Sequence, residues 1–404
     1  MRTGPADGSL RSVIFYCPDT HIRYDGRTPY ETGVGGGVTA RVRMASALAG
    51  LGHRVTMVVN CPRQETIDGV EYQPLAEVKT LTADVILFNT SGGGMDLSPA
   101  RELPIETGLR ILAVDGVDRP QGLDGLALDV VYAKSNFLRR VVREKWGLGS
   151  LPVFVAYNGY DEELFQVAES EGLERDPFRL VYLSHPSKGM APAIDVLRRL
   201  RQRDDRYTLH VFGGDELWGE RARTQLPEPG VVWHGLVGQR ILTRELFRST
   251  FALHLQDREE PFGMALIESM RAGCVVLASS VGAFPELVRD GEDGILIDGP
   301  CASEVAISSS TQHVIEFTND ATGRARISHR AQRIPWSTRV MAQVWRDHWA
   351  WSLEPGAIAT TPCPICGSPS LRLADGDHCT SCGEYARRVT GVEPIQTQLG
   401  SVTA

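Results

Sequence analysis

Short apolar segments alternate with helical patterns in two successive sets, and this alternation constrains the fold more than any other feature. The first set of apolar segments lies at residues 12–17, 55–59, 85–88, 110–114, 130–133 and 153–156. The second set begins at residue 178 and lies at 179–184, 208–212, 230–234, 251–256 and 274–279. Strands that alternate with helices form parallel sheets. The sequence therefore predicts two Rossmann-like α/β domains facing each other across a cleft, with ligands bound at the carboxyl ends of the strands.

A run of three glycines opens the first helix of this pattern. In "GVGGGVTARVRMASALAGLGHRVTMVV", Gly35, Gly36 and Gly37 precede apolar residues at helical spacing, and a strand at 55–59 follows. Such glycines permit either a tight turn or a close approach of bare backbone to a ligand. The sequence leaves both interpretations open.

Composition excludes several classes of protein. The chain has 404 residues, of which 42% are hydrophobic and 23% charged, as in globular proteins. It contains no run of eighteen apolar residues, and its start has no basic region followed by an apolar core. We therefore expect a cytoplasmic protein with neither a membrane span nor a signal peptide. The net charge of −8 argues against a protein that wraps nucleic acid.

The segment "EEPFGMALIESMRAG" places two carboxylates eight residues apart. A Pro-Phe-Gly turn leads into a helix that starts near Met264, and the unpaired N–H groups at a helix start bind anions such as a diphosphate. Glu260 lies in the loop and Glu268 about one turn into the helix, so both can accept hydrogen bonds from hydroxyl groups on one side of the cleft. A solvated helix face is the alternative, since Glu is rarely buried unpaired.

Lysine is rare in this chain, which has four Lys against 38 Arg. Lys188 lies in "VYLSHPSKGMAPAI", between a predicted strand and a predicted helix. A compact cation at this place, opposite a helix N-terminus, would neutralise a diphosphate.

These segments together resemble the family 4 glycosyltransferases, retaining enzymes with the GT-B fold. The resemblance covers roughly residues 12–350 and rests on the order and spacing of six features. They are the glycines at 35–37, "YNGYDEELF" at 157–165, Lys188-Gly189, "VFGG" at 211–214, the Glu-x7-Glu motif and "GAFPELVRDGEDGILI" at 282–297.

The resemblance implies a site for a nucleotide-diphosphate sugar donor. In such a site Glu260 contacts the donor sugar, Glu268 holds the nucleotide ribose and Lys188 meets the diphosphate. Glu260 and Lys188 are thus the predicted catalytic residues. The other predicted donor-binding residues are Gly36, Gly37, His185, Phe262, Gly263 and Met264. No Asp-x-Asp motif is evident, so we expect the transferase site to need no metal.

Two positions depart from the family pattern. Many members carry an Arg shortly before the Lys, whereas this chain has His185, which is only partly charged at neutral pH. Members also often place a His after a strand of the first domain, where "AVDGVD" offers Asp115 instead. The second departure leaves the transferred sugar open.

The resemblance also implies domain boundaries. We expect an acceptor-side domain at 1–156, a nucleotide-sugar-binding domain at 157–335, a helix at 336–353 that returns to the first domain, and a linker and tail at 354–404.

The tail carries a metal-binding pattern. Two Cys-x2-Cys pairs, separated by twelve residues, bring four thiolates to one tetrahedral centre; they are Cys363, Cys366, Cys379 and Cys382. The spacing predicts a zinc ribbon on a short hairpin, with iron as the alternative metal. Charges from residue 355 onward are three Arg against four acids, a net of −1, which favours a structural or protein-contact role over nucleic-acid binding.

The sequence favours a retaining glycosyltransferase whose acceptor is a natural product, a glycan or a lipid-linked molecule. The alternatives are a glycan phosphorylase or synthase of the same fold, and a catalytically silent scaffold whose ribbon binds a partner. The basic segment "SNFLRRVVREKWGLG" at 135–149 is either a solvated helix face or a peripheral membrane contact. The oligomeric state, including a homodimer, is left open.

Overall fold

The computed structural model describes residues 10–90, 94–148, 150–223, 225–354, 358, 360–383 and 385–387. Within these residues the first sheet has eight strands: β1 (Ser12–Tyr16), β2 (Arg54–Val59), β3 (Glu65–Ile67), β4 (Val70–Pro74), β5 (Leu81–Thr90), β6 (Ile105–Val114), β7 (Val130–Ala133) and β8 (Val153–Val155). Their order is β3-β4-β2-β1-β5-β6-β7-β8, and the pairs are parallel except β3–β4.

A second sheet follows in the described chain, with six parallel strands: β9 (Asp176–Leu183), β10 (Thr208–Phe212), β11 (Val231–Gly235), β12 (Ser249–His254), β13 (Val275–Ser279) and β14 (Ile295–Ile297). Their order is β11-β10-β9-β12-β13-β14. Every apolar segment predicted as a strand overlaps one of these strands. The prediction missed β3, β4 and β14, which have three to five residues each; β3 and β14 are edge strands, and β4 lies between β3 and β2.

Helices cover both sheets. They are α1 (Thr28–Glu31), α2 (Gly36–Gly50), α3 (Asn136–Lys145), α4 (Glu162–Ser170), α5 (Met190–Arg201), α6 (Gln239–Phe247), α7 (Met264–Arg271), α8 (Phe284–Leu287), α9 (Glu304–Asn319), α10 (Ala321–Ala331) and α11 (Thr338–Leu353). Sequence analysis predicts no helix between residue 300 and the helix at 336–353. The structure has α9 and α10 there, and their many Ser, Thr and Arg residues explain the weak apolar periodicity.

The chain passes between the domains twice, and the two crossing segments run side by side. The backbone N–H of Tyr160 donates to the carbonyl of Trp336 at 3.0 Å, and the N–H of Thr338 donates to the carbonyl of Tyr160 at 2.8 Å. Helix α11 then packs against α2 of the first domain. Trp345 in α11 is buried, with ring centroids 5.1 Å from Tyr132 and 6.2 Å from Phe15.

The tail forms a small antiparallel sheet of β15 (Thr360–Pro362), β16 (Pro369–Arg372), β17 (Gly376–Cys379) and β18 (Tyr385–Arg387) among the described residues. It packs where the chain crosses between the domains. The ring centroid of Tyr385 lies 4.8 Å from that of Tyr157, and the indole N–H of Trp336 donates to the Tyr385 hydroxyl at 3.3 Å. The final part of the predicted tail, 388–404, and the linker residues 355–357 lie outside the described residues.

The basic helix α3 faces this tail. Arg139 donates to the carbonyl of Cys382 at 2.9 Å, and Arg143 donates to the carbonyl of Ser381 at 3.0 Å. The sequence-based interpretations, a solvated helix face or a peripheral membrane contact, did not include this contact with the tail. Membrane contact through the rest of the helix stays a prediction. In the part of the chain that the structure places, no helix is both long and apolar enough to span a bilayer.

The packing of the tail predicts a stability effect. Tyr385→Ala should lower the free energy of unfolding by about 3–5 kcal/mol, because it removes a buried aromatic ring between two others. Denaturant unfolding followed by tryptophan fluorescence measures this change. The matched control is Ile365→Ala, since the Ile365 side chain in the same tail is 65% exposed. An unchanged unfolding curve for Tyr385→Ala would mean that the tail does not pack on the domains.

Candidate active site

A cavity of about 620 Å³ lies between the two domains, at the carboxyl ends of both sets of parallel strands. It is lined by all of the residues that the sequence assigned to donor binding: Gly36, Gly37, His185, Lys188, Glu260, Phe262, Gly263, Met264 and Glu268. Asp115 lines it from the first domain. The structure thus brings together, in one cleft, residues that are up to 232 positions apart in sequence, from Gly36 to Glu268.

Lys188 and Glu260 form an ion pair inside this cavity. Nζ of Lys188 lies 2.8 Å from Oε2 of Glu260, and Nε2 of Gln256 donates to the same oxygen at 3.0 Å. Burial by itself would raise the pKa of Glu260, but Lys188 and Gln256 hold it below its ordinary value. Glu260 is therefore a carboxylate at neutral pH. Its other oxygen, Oε1, has no hydrogen-bond partner among the residues that the structure describes.

Two glycines position this pair. Gly189, next to Lys188, has φ +106°, and a Cβ there would lie 1.5 Å from the carbonyl oxygen of Leu255. Gly282 has φ +58°, and a Cβ there would lie 2.3 Å from the backbone nitrogen of Glu260. Only glycine tolerates both the left-handed backbone and such close approach. The segment that carries Lys188 is thereby packed directly against Leu255, and the segment that carries Glu260 against Gly282.

Two helix N-termini lie next to each other at the cavity wall. Helix α7 begins at Met264 without a side-chain cap, and its first helical hydrogen bond runs from Ile267 N–H to the Gly263 carbonyl. Helix α2 of the first domain also begins without a side-chain cap, and a Cβ on Gly36 would lie 3.6 Å from Cβ of Met264. Unpaired N–H groups and positive helix ends from both domains thus converge on one point. Together with Lys188, they suit an anion such as a diphosphate.

Glu268 is buried and makes a contact that the sequence did not reveal. Its Oε1 lies 2.5 Å from Nη1 of Arg43, which belongs to α2 of the other domain. Nη2 of Arg43 donates to Oε1 of Gln239 at 2.9 Å. Sequence analysis recognised the apolar face of α2 from residues at helical spacing but assigned no role to Arg43. The signal it missed was Arg43 itself, an arginine close to that apolar face.

His185 does not replace the arginine of the family pattern as a cation. It is buried, its ring stacks on Trp218 with centroids 3.6 Å apart, and burial lowers its pKa below the ordinary value. The ring is therefore neutral at neutral pH. Its Nδ1 accepts a hydrogen bond from Ser187 N–H at 3.2 Å, which leaves the proton on Nε2. His185 can donate a hydrogen bond in the cavity but supplies no charge there.

The wall of the cavity formed by the first domain carries an acid, Asp115, and a buried cation, Lys134. Nδ2 of Asn89 donates to Oδ2 of Asp115 at 2.9 Å, and Arg41 lies 3.9 Å from the same oxygen. Lys134 follows β7 and also lines the cavity. Burial lowers the pKa of Lys134 to about 8, while Asp115 opposes that shift. Sequence analysis singled out Asp115 but gave Lys134 no role, because nothing in the strand that precedes it marks the cavity.

The four tail cysteines have the spacing of one tetrahedral metal centre. Sγ of Cys363 lies 3.8 Å from Sγ of Cys382, and Sγ of Cys366 lies 3.5 Å from Sγ of Cys379. All four ligand atoms lie within 4.8 Å of one another. Zinc–sulfur bonds of about 2.3 Å in a tetrahedron separate the sulfurs by about 3.8 Å, so the residues fit zinc.

Comparison with known proteins assigns the second domain. The family model for glycosyl transferases group 1 matches residues 178–311, which contain Lys188, Glu260 and Glu268. Residues 178–311 form a glycosyl transferases group 1 domain.

Two curated relatives of the chain carry names of enzymes. Phosphatidyl-myo-inositol mannosyltransferase of Mycobacterium tuberculosis (strain CDC 1551 / Oshkosh) is 30% identical over 232 residues, which cover 53% of this chain and 57% of that protein. D-inositol 3-phosphate glycosyltransferase of Streptomyces scabiei is 44% identical over 63 residues, covering 16% of this chain and 14% of that protein. The chain thus spans little more than half the length of the mycobacterial relative.

Solved structures share the fold at low sequence identity. Sucrose-phosphate synthase from Thermosynechococcus elongatus has a TM-score of 0.60 at 14% identity, covering 84% of this chain and 100% of that one. Anabaena Alr3699/HepE in complex with UDP has a TM-score of 0.56 at 17% identity, covering 84% and 99%. The predicted GT-B fold is confirmed.

The geometry around Lys188 predicts which ligands it selects. Lys188→Ala in the glycosyltransferase domain should weaken binding of a nucleoside diphosphate by about 2 kcal/mol, while binding of the nucleoside alone changes little, because the ammonium neutralises phosphate. Isothermal titration calorimetry with both ligands measures the difference. Lys145→Ala is the control, since that side chain is 63% exposed and its ammonium lies 4.0 Å from Glu259. Equal losses of binding free energy for the two ligands would show that Lys188 does not contact the diphosphate.

Proposed function

We propose that the chain is a retaining glycosyltransferase that moves a sugar from a nucleotide-diphosphate sugar to an acceptor hydroxyl. The observation that carries this proposal is the Lys188–Glu260 ion pair beside two converging helix N-termini. A cation and two uncapped helix starts favour a departing diphosphate, and a charged carboxylate favours sugar hydroxyls. The opposite wall of the cleft, formed by the first domain, leaves room for an acceptor.

The proposed reaction exchanges one bond to the anomeric carbon for another. The bond from that carbon to the diphosphate oxygen breaks, and a bond from the same carbon to the acceptor oxygen forms on the same face of the sugar. The acceptor proton passes to the departing diphosphate, whose growing charge Lys188 and the N–H groups of α7 stabilise. Glu260 positions the donor through its unpaired Oε1 rather than by attacking the sugar.

The relatives support the donor class and leave the acceptor open. The mycobacterial relative is named a mannosyltransferase, and the Anabaena neighbour has been crystallised with UDP. A nucleoside diphosphate as leaving group agrees with both. We therefore propose a nucleotide sugar as donor, with a natural product, a glycan or a lipid-linked molecule as acceptor. The cytoplasmic location stays a prediction.

We also propose that Cys363, Cys366, Cys379 and Cys382 hold one structural zinc ion. Zinc supplies no chemistry to the transfer in this proposal, because the tail packs outside the cavity. Two other groups of three potential ligands occur in the described residues, and we propose no metal for either. Arg223 pairs with Asp215 in one group, and Arg179 and Arg248 bind Glu245 in the other.

The stereochemical outcome tests the mechanism. Nucleotide sugars that raise the unfolding temperature identify the donor, because a ligand of the native state stabilises it. Transfer from that α-linked donor should give an α-linked product, read from the anomeric coupling constant in NMR spectra. Glu260→Gln should reduce turnover at least about 100-fold without trapping a covalent sugar, because it disturbs donor positioning.

A β-linked product from an α-linked donor would contradict retention. Asp115 would then be the carboxylate on the acceptor wall that acts as base, and Asp115→Asn would abolish turnover. Under the retaining proposal, Asp115→Asn changes substrate binding but leaves the product α-linked.

Metal analysis tests the tail. Elemental analysis of the purified chain should find about one zinc per chain, and Cys363→Ser combined with Cys366→Ser should remove it. The control is Cys61→Ser, since Cys61 is a buried free cysteine in the first domain. A zinc content unchanged by the double substitution would refute the site, and iron in place of zinc would select the alternative metal.

A further inference from the structure

Helix α2 carries two buried arginines that face opposite domains. Arg41 and Arg43 are 5% and 2% exposed. Residues two apart in a helix point about 200° away from each other. Arg41 accordingly donates to the hydroxyl of Tyr24 and lies beside Asp115, within the first domain. Arg43 instead reaches out of its own domain into the second.

The partners of Arg43 lie on two helices of the second domain. Its Nη1 meets Oε1 of Glu268 in α7, and its Nη2 donates to Oε1 of Gln239 at the start of α6. The side chains of Arg43 and Glu268 are 1% and 4% exposed. Burying a charge without its partner is strongly unfavourable, so Glu268 depends on Arg43. Asp161 and Tyr30 also lie near enough to Arg43 to favour its charged form, and Glu268 is the largest of these influences.

Only one oxygen of Glu268 is used in this pair. Oε2 of Glu268 accepts no hydrogen bond from any residue in the described parts of the chain, and Glu268 lines the cavity. Gln239 lines the same cavity. The guanidinium therefore fixes the carboxylate through one oxygen and leaves the other for a ligand donor.

We propose that Arg43 is a positioning residue for the donor: it holds Glu268 from the opposite domain so that Glu268 accepts hydrogen bonds from the ribose hydroxyls of the nucleotide. This inference rests on the proposed function. Its consequence is that the second domain does not complete the ribose site alone. Arg43 can hold Glu268 for the ribose only while α2 packs against α7. Binding of the nucleotide ribose therefore stabilises this packing of the two domains.

A purely structural arginine would act differently. It would stabilise the domain contact, and its loss would weaken every ligand of the cleft by a similar factor. If Arg43 positions Glu268, its loss should weaken chiefly the binding of ligands that carry the ribose hydroxyls. The two roles are separated by comparing a ligand that has those hydroxyls with one that lacks them.

The experiment measures dissociation constants by calorimetry for two probes, a nucleoside diphosphate and its 2′,3′-dideoxy analogue, with the base taken from the donor that binds. The wild-type chain should bind the dideoxy analogue about tenfold or more weakly, since it loses hydrogen bonds to a charged group. Arg43→Met should reduce this ratio to about twofold or less. Arg43→Gln, which keeps polar atoms but not the charge, gives the same measurement if Arg43→Met does not fold.

The matched control is Arg41→Met, which removes an equally buried arginine from the same helix but from the opposite face. It should keep the wild-type ratio even if it lowers stability. Arg43→Lys should recover part of the ratio, because an ammonium keeps the charge but not the two-pronged geometry. A wild-type ratio in both Arg43→Met and Arg43→Gln overturns the inference. A wild-type chain that binds no nucleoside diphosphate overturns the proposed function itself.

Discussion

A parallel sheet places the carboxyl ends of all its strands along one edge, and the rest of this structure depends on that constraint. Both sheets turn this edge toward the same cleft. Chemistry-bearing side chains follow strand ends in each domain: Asp115 after β6 and Lys134 after β7 in the first, Lys188 after β9 and Glu260 after β12 in the second. Apolar strands fill the cores behind them, so the charged groups cluster where the two edges face each other.

Two ion pairs lie in the cleft. Lys188 pairs with Glu260 inside the second domain, whereas Arg43 pairs with Glu268 across the domain boundary. Such pairs cost free energy through desolvation and recover it only when the geometry is good. The Arg43–Glu268 pair therefore specifies how the two domains meet as well as the orientation of one carboxylate.

The tail joins this arrangement at the place where the chain crosses between domains. Tyr385 packs against Tyr157 and Trp336, one on each crossing segment. Tyr157 in turn contacts Phe262, which lines the cavity, with ring centroids 5.3 Å apart. A sheet of four short strands has little core of its own. Its packing on these aromatic rings explains how so small a unit is held in place.

The sequence by itself determined the two α/β units, the fold, the cysteine cluster and nine of the residues that line the cavity. These depend on local patterns: apolar periodicity, glycine at turns, and motifs of fixed spacing. Only the tertiary structure decided that Arg43 reaches Glu268 225 positions away, that His185 is buried and neutral, and that Arg139 and Arg143 bind the tail. Such contacts join elements that are distant in sequence, and burial, which sets the charge of His185, is a property of the packed domains rather than of any segment.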